Sequence, residues 1–339
     1  MTESTYVKIA FVGCGGIAQA HWRGIQTHVP QLKVTAAIDI DPSQAAKMAE
    51  QTGGQPFTLL EVALNQGDFE AVDIMLPHHL HEQAATLAFT AGKHVVLEKP
   101  MATTLDSCDR ILAAARKAGT VFMVAEQSQY WPDAVKVQQL IRDGAIGEII
   151  TARAAFGGKV GRGWGSNPWR YDKASTGGGI CIDGGLHWMR PLRMWLREID
   201  EVIAVLDYPL KEMEGESLAH AIFRFKSGKV AVYEALRAGV VSAPGEEFRI
   251  TGTEGIIVIE KGRGGRALLY NNEHRQGREI LAVGETRESA FGLELADFAR
   301  AVLEGTPLVA GPEESLGELR TALAMYRSAE SGQWEKVWD

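Results

Sequence analysis

Lys99, Asp183 and His187 are residues of types that hold reacting oxygens and move protons, and each sits in a telling context. Asp183 and His187 are four residues apart, so a helix through both would set them on one face. A carboxylate beside an imidazole orients it and stabilises its protonated form, which is how a histidine becomes a general base for an alcohol. The pair follows Gly177-Gly178-Gly179, a run that would permit close approach of a ligand. Lys99 stands in Glu98-Lys99-Pro100, directly after the apolar run His94-Val95-Val96-Leu97. A desolvated lysine at a strand end can have a lowered pKa and can hydrogen-bond a reacting hydroxyl or carbonyl.

A second pattern concerns phosphate. Phe11-Val12-Gly13-Cys14-Gly15-Gly16-Ile17-Ala18 follows the apolar run Val7-Lys8-Ile9-Ala10 and precedes a helical segment. Strand, glycine turn and helix form the context of a dinucleotide site. Gly13 lets the chain turn, Gly15 lets a pyrophosphate approach, and Ala18 lets helix and strand pack closely. Gly16 and Ile17 open the helix, whose N–H groups and dipole favour a phosphate. Asp39 ends the next strand, where a carboxylate can accept both hydroxyls of an adenosine ribose, and no arginine follows at once. That favours NAD over NADP. Asp41 before Pro42 reads instead as a helix cap.

Pro77-His78-His79-Leu80-His81 follows a further strand, at the end where a doubly wound sheet binds ligands. Pro77, His78 and His81 are therefore candidates for contact with the cofactor, together with Glu98 and Lys99. The histidines lack the spacing of a helical zinc pair, and no metal is expected. Between residues 157 and 171 an irregular glycine-rich stretch carries Arg162, Trp164, Trp169 and Arg170. Aromatic faces with guanidinium donors suit a polyhydroxylated ring, and the same aromatics could simply anchor the loop. Arg162 and Arg170 could bind a charged sugar or pair with Asp172 or another acid.

These residues need a scaffold. Strands and helices alternate up to residue 126, which implies a mostly parallel sheet in a dinucleotide-binding domain spanning 1–126. After it come a helix, a strand, the irregular stretch and a helix to Leu196, then period-two apolar runs from 202 to 270. That half, 127–339, reads as an α/β domain for substrate binding and oligomerisation, with a large, mostly antiparallel open sheet. One sheet face would pack on helices and the other on a second subunit. Two helices, about 289–304 and 312–331, close the chain.

Composition narrows the function. Apolar residues make up 45% and charged residues 23% of the 339, ordinary for a globular protein. The net charge of −8 gives no hint of nucleic acid or an anionic membrane as partner. The three cysteines, Cys14, Cys108 and Cys181, form no Cys-x-x-Cys pair. With a polar start and no apolar run of membrane-spanning length, they lead us to expect a cytoplasmic protein.

The chain resembles the glucose–fructose oxidoreductase/inositol dehydrogenase (Gfo/Idh/MocA) family over nearly its whole length. The resemblance rests on Gly13-x-Gly15-x-x-Ala18, on Gly92-Lys93-His94-Val95 leading to Glu98-Lys99-Pro100, and on Gly177-Gly178-Gly179-x-x-x-Asp183-x-Gly185-x-His187. It implies a Rossmann domain, a second domain whose sheet often mediates dimers or tetramers, and NAD(P)-linked chemistry on secondary alcohols of sugars and cyclitols. Lys99, Asp183 and His187 would be the catalytic trio: His187 the base, Asp183 its orienter and a grip on a substrate hydroxyl, Lys99 the group polarising the reacting oxygen. His78 departs from the family's usual asparagine, and Glu126-Gln127-Ser128-Gln129-Tyr130-Trp131 departs from its Asn-x-Arg pattern. Both departures lie near the expected substrate pocket, which makes Tyr130 a candidate substrate contact. The leading expectation is an NAD-dependent sugar or cyclitol dehydrogenase, a homodimer or homotetramer. The alternatives are a redox-neutral glycosidase that keeps its NAD and a nicotinamide-binding regulator without chemistry.

Overall fold

A computed structural model describes residues 5–159, 168–239, 245–261 and 265–338. The chain divides into two compact units, one made of residues 1–127 and 288–316, the other of 128–287 and 317–339.

In the first unit, short apolar runs alternate with amphipathic segments: β1 (Val7–Val12), α1 (Gly16–His28), β2 (Leu32–Ile38), α2 (Pro42–Thr52), β3 (Gln55–Phe57), α3 (Leu60–Gln66), β4 (Ala71–Ile74), α4 (His81–Thr90), β5 (His94–Glu98), α5 (Leu105–Ala118) and β6 (Phe122–Ala125). The strands form one parallel sheet in the order β3-β2-β1-β4-β5-β6. The order reverses beside β1, and a crevice outside the carboxyl ends of the strands is the ligand position of such sheets. β4 and β6 are buried throughout because helices cover both faces of a parallel sheet. The caps follow the sequence: Asp41 accepts the Ser43 N–H at 2.8 Å with Pro42 in the first helical turn, and Thr104 accepts the Ser107 N–H at 3.2 Å. β3 is absent from the sequence reading, since only Phe57 of its three residues is buried.

A late helix, α9 (Ala290–Glu304), belongs to this unit. Its Leu295, Phe298 and Ala299 join the core made by β1, β2 and α1. Residues 288–316 thus pack with the first sheet, although they follow the strands of the second in sequence. Gly24 of α1 and Gly292 of α9 let the two backbones meet: a Cβ on Gly24 would lie 2.7 Å from the Gly292 nitrogen.

The second unit holds α6 (Pro132–Arg142), β7 (Ile149–Lys159), α7 (Lys173–Thr176), α8 (Leu186–Leu196), β8 (Ile199–Asp207), β9 (Leu218–Phe225), β10 (Val230–Ala238), β11 (Glu246–Gly252), β12 (Gly255–Glu260), β13 (Ala267–Asn271), β14 (Arg278–Glu279), α10 (Leu316–Ser331) and β15 (Glu335–Lys336). Among the described residues its strands form a nine-stranded sheet, β14-β13-β12-β11-β7-β10-β9-β8-β15, antiparallel except where β7 meets β10. Burial alternates along β9, as period-two patterning requires of a sheet with one covered face. Phe223, Tyr233 and Phe248 fill the covered side. α8 packs on β7 and α6, and its buried Arg190 and Arg193 pair with Glu318 of α10. No helix among the described residues is long and apolar enough to cross a membrane.

Candidate active site

The first unit presents an open glycine turn at the start of α1. Gly13 has φ +92°, and a Cβ there would lie 2.6 Å from the Met75 carbonyl oxygen, so only glycine fits. Gly15 and Gly16 differ: a Cβ on either would meet nothing within 4 Å, and both are exposed. No side chain caps α1 and no acid stands in its first turn. The first N–H groups of the helix therefore remain available to an anion. Ile17 is half-buried, and Ala18 is buried against the core.

Asp39 is fixed at the end of β2. Its Oδ2 accepts the Cys14 N–H at 2.8 Å and its Oδ1 accepts the Asp41 N–H at 2.9 Å. Each oxygen keeps a lone pair for a ribose hydroxyl. Burial, with Asp39 alongside, pushes the Cys14 thiol up to about 12, so Cys14 is no nucleophile at neutral pH. These features fit a dinucleotide: an open glycine turn, an uncapped helix start and a fixed acid.

At the carboxyl end of β5, Glu98 is buried and Lys99 half-buried. Glu98 Oε2 accepts the Lys99 N–H at 3.1 Å, and Glu98 Oε1 lies 3.1 Å from His21 Nε2. Pro77 leads into a single helical turn, His78–Leu80. His81 is fully buried, and its ring nitrogens lie 2.9 Å from the carbonyl oxygens of Leu76 and Pro100. His81 thereby ties the end of β4 to the turn after Lys99. His78 is buried beside it, the two rings 5.7 Å apart. No group of three or more His, Cys, Asp or Glu side chains is arranged to hold a metal ion among the described residues.

The second unit carries Asp183 and His187 at the entry to α8. The expected continuous helix through both is not what forms: α8 begins at Leu186, and Asp183 lies in the turn before it. The glycines around it are packed against protein. A Cβ on Gly179 would lie 2.0 Å from the Glu216 carbonyl oxygen, and one on Gly178 would lie 2.0 Å from the Tyr326 hydroxyl. A Cβ on Gly185 would meet the Tyr233 hydroxyl at 2.1 Å. The space we expected this glycine run to leave for a ligand is thus taken by the protein itself. Glu216 holds the turn: its carboxylate accepts the N–H groups of Gly179 and Cys181, each at 2.9 Å, and the Tyr326 hydroxyl at 2.9 Å. Burial raises the Glu216 carboxyl above its ordinary range.

Asp183 is buried, and one Arg170 guanidinium nitrogen lies 3.0 and 2.8 Å from its two oxygens. Arg170 therefore pairs with Asp183, while Asp172 caps α7 by accepting the N–H groups of Ala174 and Ser175. The Arg170 guanidinium lies 5.0 Å from the Trp169 ring centre. The structure thus brings Trp169, Arg170 and Asp183 together. His187 is half-buried, its ring 6.3 Å from Trp131, within an aromatic group in which Trp188 stacks on Phe156 at 4.1 Å. Tyr130 is half-buried in the short helical turn before Trp131. Arg162 and Trp164 lie outside the described residues.

Sequence reasoning missed His21, Asp73 and Glu294 around Glu98, and Glu216, Tyr326 and Arg237 around Asp183. Arg237 lies over the Phe156 ring at 4.9 Å and is coupled electrostatically to Asp183. His21 alone left a local signal, since it shares the buried face of α1 with Ala18 and Ile25.

A family model described as an oxidoreductase family with an NAD-binding Rossmann fold matches residues 7–126, and the C-terminal domain model of the same family matches 134–258. The chain belongs to the Gfo/Idh/MocA oxidoreductase family. Levoglucosan dehydrogenase of Pseudarthrobacter phenanthrenivorans is 26% identical over 88% of this chain and 90% of its own length. Inositol 2-dehydrogenase/D-chiro-inositol 3-dehydrogenase of Shouchella clausii is 26% identical over 98% of this chain and 94% of its own. Among solved structures, a levoglucosan dehydrogenase in complex with NADH superposes with a TM-score of 0.87 at 24% identity, covering 98% of this chain and 100% of that one. The family match makes this chain an oxidoreductase with an NAD-binding Rossmann unit.

Proposed function

We propose that this protein is an NAD-dependent dehydrogenase acting on a secondary alcohol of a sugar, sugar derivative or cyclitol, with Lys99, Asp183 and His187 as its catalytic residues. The observation that carries the reading lies in the first unit, where one parallel sheet ends in both the open Gly15–Gly16 turn and the Glu98–Lys99 strand end. The names of the levoglucosan and inositol dehydrogenase relatives support the substrate class. Asp39 would accept the adenosine ribose hydroxyls and disfavour a 2′-phosphate by charge repulsion. Bound NAD supplies the hydride acceptor. In this proposal His187 is the general base toward the substrate hydroxyl, and Lys99 is the hydrogen-bond donor that polarises the reacting oxygen. Asp183, held by Arg170, accepts a hydrogen bond from a neighbouring substrate hydroxyl, and Trp169 covers a C–H face of the ring.

The test is the absorbance of reduced nicotinamide, with purified protein and NAD or NADP against a panel of sugars, sugar acids and inositols. Accumulation with NAD and one substrate group is expected. NAD found bound with no accumulation across the panel would contradict the dehydrogenase and favour the redox-neutral glycosidase cycle.

Self-association through the second sheet belongs to the same proposal. Ile203, Ile222 and Val232 lie in register across β8, β9 and β10, and Ile222 and Val232 are 40% and 46% exposed. An apolar stripe on the open face of a sheet favours a second copy. Sedimentation should give a dimer or tetramer that Ile222→Lys weakens; a wild-type monomer at micromolar concentration would reject it.

A further inference from the structure

Behind Lys99 lies a closed group of ionisable side chains that the proposed chemistry does not use. His21 of α1 is 0% exposed. Its Nδ1 lies 2.7 Å from Asp73 Oδ2 of β4, and its Nε2 lies 3.1 Å from Glu98 Oε1 of β5 and 3.8 Å from Glu294 Oε1 of α9. Asp73 and Glu294 are likewise 0% exposed. The close crossing of Gly24 and Gly292 brings α9 near enough to place Glu294 there.

An imidazole facing a carboxylate at each nitrogen can satisfy both only by donating from both. Burial opposes a charge on His21, but Asp73 and Glu98 together outweigh it and hold the imidazole well above its ordinary range. Burial pushes Glu294 well above the carboxylate range, with Glu98, Glu126 and Asp73 adding to the push and His21 opposing it. The arrangement is an imidazole clamped between the carboxyl groups of Asp73 and Glu98, with Glu294 beside them, and burial raises Asp73 as well. Charge-assisted hydrogen bonds of this kind are the stronger ones, and in a buried group they fix geometry.

Two connections make the clamp relevant to the site. Glu98 uses one oxygen for His21 and the other for the Lys99 N–H. His21 sits on α1, the helix whose start forms the open glycine turn. We infer that His21 is a positioning residue for Lys99, locking the helix that receives the dinucleotide to the strand end that delivers the lysine. The inference rests on the reading of Lys99 proposed above. The lock runs through Glu98: without His21, that carboxylate turns from its place and the Lys99 amide loses its anchor.

The test reads Lys99 with and without turnover. Lysine amines are labelled by reductive ¹³C-methylation, and the Lys99 resonance is assigned by its loss in Lys99→Arg. His21→Leu removes both hydrogen bonds. His21→Gln keeps a donor and an acceptor in the ring's place and carries the test if the leucine variant does not fold. Ile111→Ala, a buried change on α5, controls for simple destabilisation. The Lys99 resonance is expected to shift or broaden in His21→Leu, to move less in His21→Gln, and to stay in place in Ile111→Ala. With a substrate in hand, kcat should fall at least about tenfold in His21→Leu with KM for substrate and affinity for NAD within about threefold. Lys99 resonances that coincide with wild type in both His21 variants, or that move no further than in Ile111→Ala, would overturn the inference. A wild type that transfers no hydride would sink the proposed function instead, and the resonances would still decide the position of Lys99.

Discussion

Two glycine-rich turns carry the candidate site, and they use glycine for opposite reasons. At Gly15 and Gly16 in the first unit, a Cβ would project into open space, and no side chain caps the helix behind them. At Gly178, Gly179 and Gly185 in the second, a Cβ would collide with Tyr326, Glu216 and Tyr233. The first turn is bare and leaves its backbone open, as the proposed dinucleotide site would need. The second is bare so that the protein can reach itself, and the result is a rigid platform for Asp183. On paper the two stretches look alike. Their roles differ because a glycine's function depends on what occupies the missing side chain's place.

Substitution separates the two turns. Gly179→Ala should be the most damaging, because its Cβ would meet backbone atoms of Glu216 that cannot swing aside. A loss of about 3 kcal/mol or more is expected, read as a lowered denaturant midpoint or as insoluble protein. Gly15→Val should leave stability nearly unchanged and weaken NAD binding about tenfold or more, roughly 1.4 kcal/mol, in a fluorescence titration. A stable Gly179→Ala, or a Gly15→Val that binds NAD normally, would break the contrast.

A smaller effect sharpens the view of the first unit as a scaffold. His94 Nδ1 accepts the Val121 N–H at 2.9 Å, a bond that needs a neutral ring, and burial holds this imidazole below its ordinary range of 6.5. A depressed histidine contributes stability that is present above the unfolded pKa and lost as pH falls through 6.5 toward the folded value. His94→Asn can still accept the Val121 N–H. It should flatten the acid side of the stability profile, by less than about 1 kcal/mol because the ring is partly exposed. An unchanged profile between pH 7.5 and 5.5 would remove His94 as its source.

Much of this architecture was legible in the residues. The strand, glycine turn and helix of 7–28, the capping role of Asp41 and the period-two strands of the second unit all follow from spacing within a few residues. What was hidden depends on long separations. Glu216 and Tyr326 grip Gly179 from 37 and 147 residues away, and no local pattern could announce them. His21 and Glu98, 77 residues apart, meet only because the fold brings the carboxyl end of β5 to the buried face of α1. The helix through Asp183 and His187 was misread because a four-residue spacing says which residues could share a face, not where a helix starts. The helix starts only at Leu186, after a turn whose Gly185 packs against Tyr233. β3, β14 and β15, of two or three residues each, form because a neighbouring strand offers an edge, not because their own sequence demands it.

The central claim is the proposal that Lys99 and His187 are each needed for turnover. The most direct test is turnover of Lys99→Ala and His187→Ala, read as NADH absorbance beside NAD affinity in the same preparations. Each variant should lose about a hundredfold or more in turnover, the scale of a general acid–base contribution, while its affinity for NAD stays close to wild type. Near-normal turnover in both would contradict the account.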